Sequence, residues 1–383
     1  MGEIQICKRC IMDSTVPFIE FDHNGICNYC KIHDSLEKQY PLGEEGRKSL
    51  ERIVTKIKND GVGKKYDCVL GVSGGTDSTY ALYLAKKLGL RPLAVHYDNG
   101  WDTETGIHNI ENSTKKLGVD LFTYVEKWDE IKDFQKSFFK ASTPDIEVLT
   151  DIRIKYVLYA VAAKQGVKYI INGSSFRTEG KIPPLWSYGD STYLQSIQKR
   201  FGSKKLKTVR TLNMIENVYF TFLKGIKVIQ ILNYVEYSKD AAGKELAKEV
   251  DWKDYGGHHY ESTITRFCYG YLLPVKFRID KRRTHFSARM RSGLMTREEA
   301  LEKIKQIPLS KEKAEEDMKY IMKKLDFSEE EFRAILSSAP KTFMDYPNNF
   351  NIVYTFRKPI ILFYKSFLGT VPYTLTLMEH AKN

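Results

Sequence analysis

The sequence predicts a doubly wound parallel α/β sheet, set between a small cysteine-rich N-terminal module and a helical C-terminal extension. Three observations predict it. Short apolar runs alternate with amphipathic stretches through the first half of the chain. Several amphipathic stretches stop at a glycine, the residue that most readily closes a helix. A segment rich in glycine and hydroxyls, Ser73 to Ser78, falls where the first apolar run gives way to helix.

Taken in order, residues 1–35 are rich in Cys, Asn, Asp and Gly and show little periodicity. Such a module needs something other than an apolar core to hold it. Arg47 to Asp60 reads as an amphipathic helix with Leu50, Ile53, Val54 and Ile57 on one face. The run from Asp67 to Val72 reads as a buried strand, and Thr79 to Leu88 as a helix stopped by Gly89. Pro92 to Tyr97 is a second strand, and Thr103 to Leu117 a helix closed by Gly118. Leu121 to Val125 is a third strand, Asp151 to Gln165 a helix ending at Gly166, and Lys168 to Asn172 a fourth strand. Val228 to Val235 reads as a fifth. Ligands of such sheets sit beyond the carboxyl ends of the strands, so chemistry is expected after Val72, Tyr97 and Asn172. An insertion over 174–226 separates strands four and five, longer than an ordinary connection. Beyond Thr296 the chain turns helical, with capping boxes at Thr296/Glu299 and Ser328/Glu331. The predicted division is 1–40, 41–295 and 296–383.

The 383 residues are 42% hydrophobic and 28% charged, ordinary for a soluble globular protein. The net charge of +12 favours anionic partners, among them nucleotides, sugar nucleotides, nucleic acid and acidic membrane surfaces. The N-terminus lacks a basic region followed by an apolar stretch, so no secretory signal is read. Ile360 to Leu377 is broken by Lys365, Gly369 and Pro372. It reads as a buried C-terminal element rather than a membrane span. Four of six cysteines crowd into the first 30 residues, and Cys68 and Cys268 stand alone. That usage fits a reducing compartment, and a cytoplasmic location is expected.

Ser73-Gly74-Gly75-Thr76-Asp77-Ser78 follows a buried strand and opens a helix. Glycines there let the backbone wrap an anion, and the free N–H groups of the helix start point at it. Ser73 and Ser78 add hydroxyl donors. Without a Gly-Lys-Ser/Thr ending this is not a Walker loop. It resembles the PP-loop of the N-type ATP pyrophosphatases, a fold class also described as adenine nucleotide alpha hydrolase-like. The resemblance implies cleavage of ATP between its α and β phosphates. Ser73 and Ser78 would hold the departing phosphates, and Asp77 would position the loop or Mg²⁺.

Cys7-x2-Cys10 and Cys27-x2-Cys30, 16 residues apart, match the spacing of a tetrahedral structural Zn²⁺ site. An iron–sulfur cluster is the competing reading. Asp98, in Asp98-Asn99-Gly100-Trp101, is a candidate for nucleotide or Mg²⁺, or simply part of an Asn-Gly turn. Gly173 would let adenine or ribose approach the backbone. Glu179 would hold Mg²⁺ bridging phosphate oxygens, or serve as a solvated loop acid. The segment Gly256-Gly257-His258-His259-Tyr260-Glu261-Ser262 leads through Arg266 to Lys276 and then Asp280-Lys281-Arg282-Arg283. Lys276 and Arg283 are candidates to neutralise the leaving pyrophosphate. A charge run is otherwise a solvated face.

Together these segments resemble the N-acetyl sugar amidotransferases of bacterial surface polysaccharide and flagellar glycan biosynthesis. The resemblance also runs through Cys7 to Thr15, His96 to Trp101, Pro144 to Glu147, Thr150-Asp151 and Phe277 to Arg283. It implies conversion of an acetamido group on a sugar nucleotide to an acetamidino group, with ATP, Mg²⁺ and Zn²⁺ as cofactors. Asp151, Trp186, His258, His259 and Arg266 are the expected substrate-side residues. No glutaminase is visible in the chain, so the resemblance implies partner subunits similar to the glutaminase and cyclase halves of imidazole glycerol phosphate synthase. Trp186 to Tyr193 and Gly256 to Arg266 are the candidate docking segments. Neither a nucleic-acid partner nor a membrane span is expected. Two rivals are a zinc-ribbon tRNA-thiolating enzyme and a zinc-ribbon nucleic-acid-binding protein with a degenerate nucleotide domain.

Overall fold

The computed structural model describes residues 4–257, 260–368 and 375. The chain begins with the cysteine segment and helix α1 (Asn28–Gln39), followed by α2 (Gly43–Asp60). α2 starts four residues earlier than its apolar periodicity indicates, because Glu44 and Glu45 suit the positive end of a helix.

Five strands follow: β1 (Cys68–Val72), β2 (Pro92–Asp98), β3 (Leu121–Val125), β4 (Tyr169–Asn172) and β5 (Lys227–Gln230). All pair in parallel, in the order β3-β2-β1-β4-β5. Helices α3 (Thr76–Lys87), α4 (Glu104–Leu117), α5 (Trp128–Ala141) and α6 (Val148–Lys164) make the crossovers. β1 shows why the sheet is covered twice. Cys68, Leu70 and Val72 face a core with Leu50 of α2 and Ala81 of α3, while Val69 faces Val157 and Val161 of α6. The strand order reverses between β1 and β4, which opens the crevice where such sheets bind ligands.

Two sequence expectations need correction, and the insertion, to which the sequence assigns no elements, takes on structure. α3 starts at Thr76 rather than Thr79, so the hydroxyl-rich segment forms the first helical turn, with extended Gly75 before it. The fifth strand ends at Gln230, and a 3-10 turn (Ile231–Tyr234) buries Ile231 and Leu232 where more strand was expected. The insertion is ordered as α7 (Phe176–Glu179), α8 (Ser191–Phe201), α9 (Met214–Val218) and a π-helical turn (Tyr219–Leu223).

After β5 come α10 (Lys239–Val250), α11 (Thr263–Phe267), a π-helical stretch (Cys268–Phe277) and α12 (Arg282–Arg291). Then come α13 (Arg297–Lys305), α14 (Lys311–Leu325), α15 (Glu329–Ser337), α16 (Phe350–Thr355) and α17 (Arg357–Leu368). Both expected capping boxes form, at Thr296 and Ser328. Of the expected buried element from Ile360 to Leu377, residues 369–374 and 376–377 lie outside the described residues, and Leu375 is buried. Ile361 is buried, but Leu362 and Phe363 beside it are exposed. No described helix is long and apolar enough to cross a membrane.

Candidate nucleotide site and metal centre

The loop between β1 and α3 is clamped from several sides. Gly74 adopts φ +76°, and a Cβ there would stand 2.2 Å from the Gly106 carbonyl oxygen of α4, so only glycine fits. Its carbonyl accepts from Asn109 Nδ2 (3.1 Å) and Trp252 Nε1 (2.9 Å). Ser73 N–H donates to Ser78 Oγ (3.1 Å), and Ser78 Oγ donates to the Gly75 carbonyl (3.2 Å). Among the described residues, the N–H groups of Gly75 and Thr76 reach only hydroxyls, Ser73 Oγ at 3.4 Å and Tyr255 Oη at 3.2 Å. These weak partners sit at the N-terminus of α3, where a phosphate oxygen would be the stronger acceptor.

Charge gathers around the loop. Asp77 accepts from Tyr237 Oη and pairs with Lys239 Nζ at 2.6 Å. Burial works against the Lys239 ammonium, but Asp77, Glu179 and Glu261 outweigh it and hold its pKa above the ordinary value. Glu261 lies close over the loop, its Oε1 2.9 Å from where a Gly75 Cβ would stand. Behind the loop, His96 on β2 places Nδ1 3.2 Å from the Val72 carbonyl and Nε2 3.4 Å from Asp102. Burial disfavours its charged form, yet the Asp102 contact raises its pKa above the usual value.

The structure thus brings Ser73, Gly74, Gly75, Thr76, Asp77 and Ser78 together with Glu179. Gly173 is adjacent, but a Cβ there would meet the Asp77 carbonyl at 2.6 Å. That glycine is required by the close approach of α3. Asp98 accepts from Gly100 N–H (2.7 Å), as a turn residue does. Asp151 and Glu147 favour the charge of buried Lys281, although burial dominates and lowers that lysine's pKa; its Nζ lies 4.0 Å from the Tyr269 ring centroid.

Other candidates have different partners. Arg266 makes a two-pronged pair with Asp317 (2.8 and 2.6 Å), tying α11 to α14. Lys276 donates to the Ile335 carbonyl and to Ser338 Oγ (2.9 Å). Arg283 donates to the Ile11 carbonyl (2.6 Å) and pairs with Asp13 (2.9 Å). Trp186 is buried in the core of the cysteine module. His258 and His259 lie outside the described residues. Sequence reasoning missed Tyr237, Lys239, Trp252 and Tyr255, which reach the loop from about β5 onward and carry no local motif.

The four N-terminal cysteines are buried, and their sulfurs all lie within 4.8 Å of one another. Cys7 and Cys30 sulfurs are 3.9 Å apart, and Cys27 lies 3.7 Å from both Cys10 and Cys30. Gly25, at φ +74°, makes the turn before the second pair. Backbone N–H groups of Arg9 and Cys27 donate to Cys7 Sγ. Arg291 donates to Cys30 (3.2 Å) and Cys10 (3.0 Å), and Arg297 to the carbonyls of Cys7 (2.9 Å) and Cys10. This cluster could hold a metal. The remaining cysteines, Cys68 and Cys268, are buried, and burial raises both thiol pKa values.

Residues 261–358 match the family model described as "LPS biosynthesis protein WbpG-like, C-terminal domain". The uncharacterized protein MJ1599 of Methanocaldococcus jannaschii is 27% identical over 321 residues, 81% of this chain and 96% of that protein. The tRNA-specific 2-thiouridylase MnmA of Hahella chejuensis is 28% identical over 139 residues, 33% of this chain but only 36% of that protein. Among solved structures, the U34-tRNA thiolase NcsA from Methanococcus maripaludis is similar at 14% identity. That match covers 86% of this chain and 90% of that one, with a TM-score of 0.34.

Proposed function

For a chain that joins a PP-loop body to a WbpG-like C-terminal domain, we propose an ATP-dependent, AMP-forming sugar amidotransferase. The amide oxygen of an acetamido sugar, carried on a nucleotide, attacks the α phosphorus of ATP, and pyrophosphate leaves. Ammonia then adds to the imidate carbon, loses a proton, and expels AMP with the former amide oxygen. An amide is a poor electrophile, and the phosphoryl group supplies a good leaving group. The protein's task is positioning and charge stabilisation.

The observation that carries this reading is Glu261. It opens the WbpG-like segment and lies over Gly75, so loop and C-terminal domain line one site. In this proposal the N-terminal turn of α3 holds the departing phosphates. Glu261, which lies over the loop, holds Mg²⁺ together with phosphate oxygens, since Mg²⁺ sites commonly use one or two carboxylates plus phosphates, while Asp77 positions the loop through Tyr237 and Lys239. Lys239, rather than Lys276 or Arg283, offsets charge on pyrophosphate. Lys281, with Asp151, lies on the acceptor side.

We assign Zn²⁺ to the cysteines. A tetrahedron with Zn–S bonds of ~2.3 Å has edges of about 3.8 Å, which matches the observed sulfur separations. A cluster of several irons and sulfides needs more room than sulfurs within 4.8 Å enclose. Ammonia would come from separate glutaminase and cyclase-like subunits. The matches to thiouridylases, which cover about a third of this chain or less, favour a tRNA-thiolating alternative. That chemistry is expected to need catalytic cysteines or a cluster beside the PP-loop, and Cys68 and Cys268 are 0% and 2% exposed.

Incubation with ATP, ammonium and a panel of acetamido sugar nucleotides tests the proposal. One sugar is expected to lose about one mass unit, as NH replaces O, with AMP formed in step. Thiolation of tRNA with no change in any sugar would overturn it.

A further inference from the structure

We propose that the surface formed by residues 214–228 and 350–366 seats the protein on an anionic lipid surface. This goes beyond the reading of the ATP site and does not depend on it.

Two elements meet there. α9 with its π-helical turn is anchored inward by Phe220, which stacks on Tyr159 of α6. α16 and α17 are anchored by Phe350 and Ile361. The elements touch through Phe222 and Phe363, whose ring centroids are 5.0 Å apart. Their outward side chains are large and apolar: Ile215 is 81% exposed, Leu223 77%, Leu362 66% and Phe356 57%. Isolated exposed apolar residues are ordinary, but several large ones on two elements that touch through Phe222 and Phe363 point to a surface with a partner.

Charge selects the partner. The sequence from Tyr346 to Met378 contains no Asp or Glu, and that from Leu212 to Val235 contains only Glu216. Glu216 is engaged by Arg210 at 3.4 Å and by the α9 capping box. Lys224, Lys227, Lys358 and Lys365 are all exposed among the apolar side chains. Two copies joined through this face about a two-fold axis would bring lysines toward lysines, which disfavours self-association. A bilayer interface with anionic headgroups suits both features. Apolar and aromatic side chains enter the headgroup–acyl boundary, and lysine stems run along it with their ammonium groups among phosphates. No described helix is long and apolar enough to cross a membrane, and the attachment proposed is peripheral.

The test is co-sedimentation of the full chain with phosphatidylcholine vesicles, with and without phosphatidylglycerol. Binding is expected only with phosphatidylglycerol and is weakened by salt. Neutralising Lys358 or Lys365 to Gln should weaken partition about five-fold each. Leu223→Asp combined with Leu362→Asp should abolish it while leaving ATP cleavage and the thermal midpoint unchanged, since both side chains are exposed. Equal binding to neutral vesicles, or none to anionic ones, would overturn the proposal. So would a protein complex, with a second copy or with an ammonia-supplying subunit, that the same variants disrupt.

Discussion

The nucleotide loop and the cysteine module are both short, irregular segments, yet they are held in opposite ways. The loop rests on a sheet covered on both faces, and side chains from α4 and from Trp252 grip its backbone. The module has little core of its own. Its cysteines cluster with Met12, Val16, Tyr29 and Ile32, and it borrows Trp186, Leu273 and Ile279 from elsewhere. Arg283, Arg291 and Arg297 secure it from α12 and the start of α13. The loop is therefore held in place by the surrounding fold, and in the proposed reading its residues act on rate. The module is a structural unit tied to the C-terminal domain by these arginines, and its four cysteines could hold a metal.

Removing the zinc proposed for the cysteines should have the largest effect. Structural zinc sites contribute about 10–16 kcal/mol of binding free energy near neutral pH, and that energy is coupled to folding. Cys7→Ser, or chelation, should release roughly one zinc per chain and unfold the N-terminal segment. Metal analysis with limited proteolysis checks this; iron with acid-labile sulfide would contradict it.

Asp77→Ala should do the reverse. ATP cleavage should fall about a hundredfold to a thousandfold, or about 2.7–4 kcal/mol, the scale of a lost preorganised electrostatic group. Zinc content should stay at the wild-type value. A variant that lost zinc along with activity would show that loop and module are not separate.

The sheet-bearing body carries a buried acid whose titration can be followed. Asp145 is buried, and burial raises its pKa from 3.8 to about 6 despite hydrogen bonds from Thr143 and Tyr193. Because the folded value is the higher one, the stabilising contribution is full below about pH 3.8 and is lost as pH rises through about 6. Asp145→Asn removes that dependence. The stability difference, variant minus wild type, should therefore move in the variant's favour by up to about 3 kcal/mol from about pH 4 to about pH 8. Urea unfolding across that range measures it, and a flat difference would contradict the assignment.

The smallest effect sharpens the account of the module. Arg291→Met keeps the aliphatic bulk but removes the donors to Cys10 and Cys30. Zinc affinity should fall about 10–100-fold, as for other groups that support ligands from behind. Competition with a chromogenic chelator would read it, and unchanged affinity would mean the guanidinium merely packs there.

Much of the fold was legible in the sequence because its signals are local. Strands β1 to β4 announce themselves as short apolar runs, and Gly118 closes α4 in the left-handed region as its position indicates. The capping boxes at Thr296 and Ser328 are matters of three-residue spacing. α5 was legible but unread, since Ile131, Phe134 and Phe138 repeat at helical intervals. The site was legible only where chemistry and motif coincide, at Ser73 to Ser78 and the cysteines. Tyr237 and Lys239 meet Asp77 from some 160 residues away, and no local pattern marks a residue that works by tertiary approach. The basic run near Arg283 misled for the opposite reason. Composition shows the charge, but only the fold shows Asp280 facing Arg282, Asp13 facing Arg283, and Lys281 buried over Tyr269.

The central claim is that the PP-loop activates an amide oxygen by transferring AMP to it. An acetamido sugar nucleotide labelled with oxygen-18 in its amide carbonyl tests this most directly. With ATP and ammonium, the account expects the label in the phosphate of AMP, in proportion to amidine formed. ADP as the product, or AMP without label beside an amidino sugar, would contradict it.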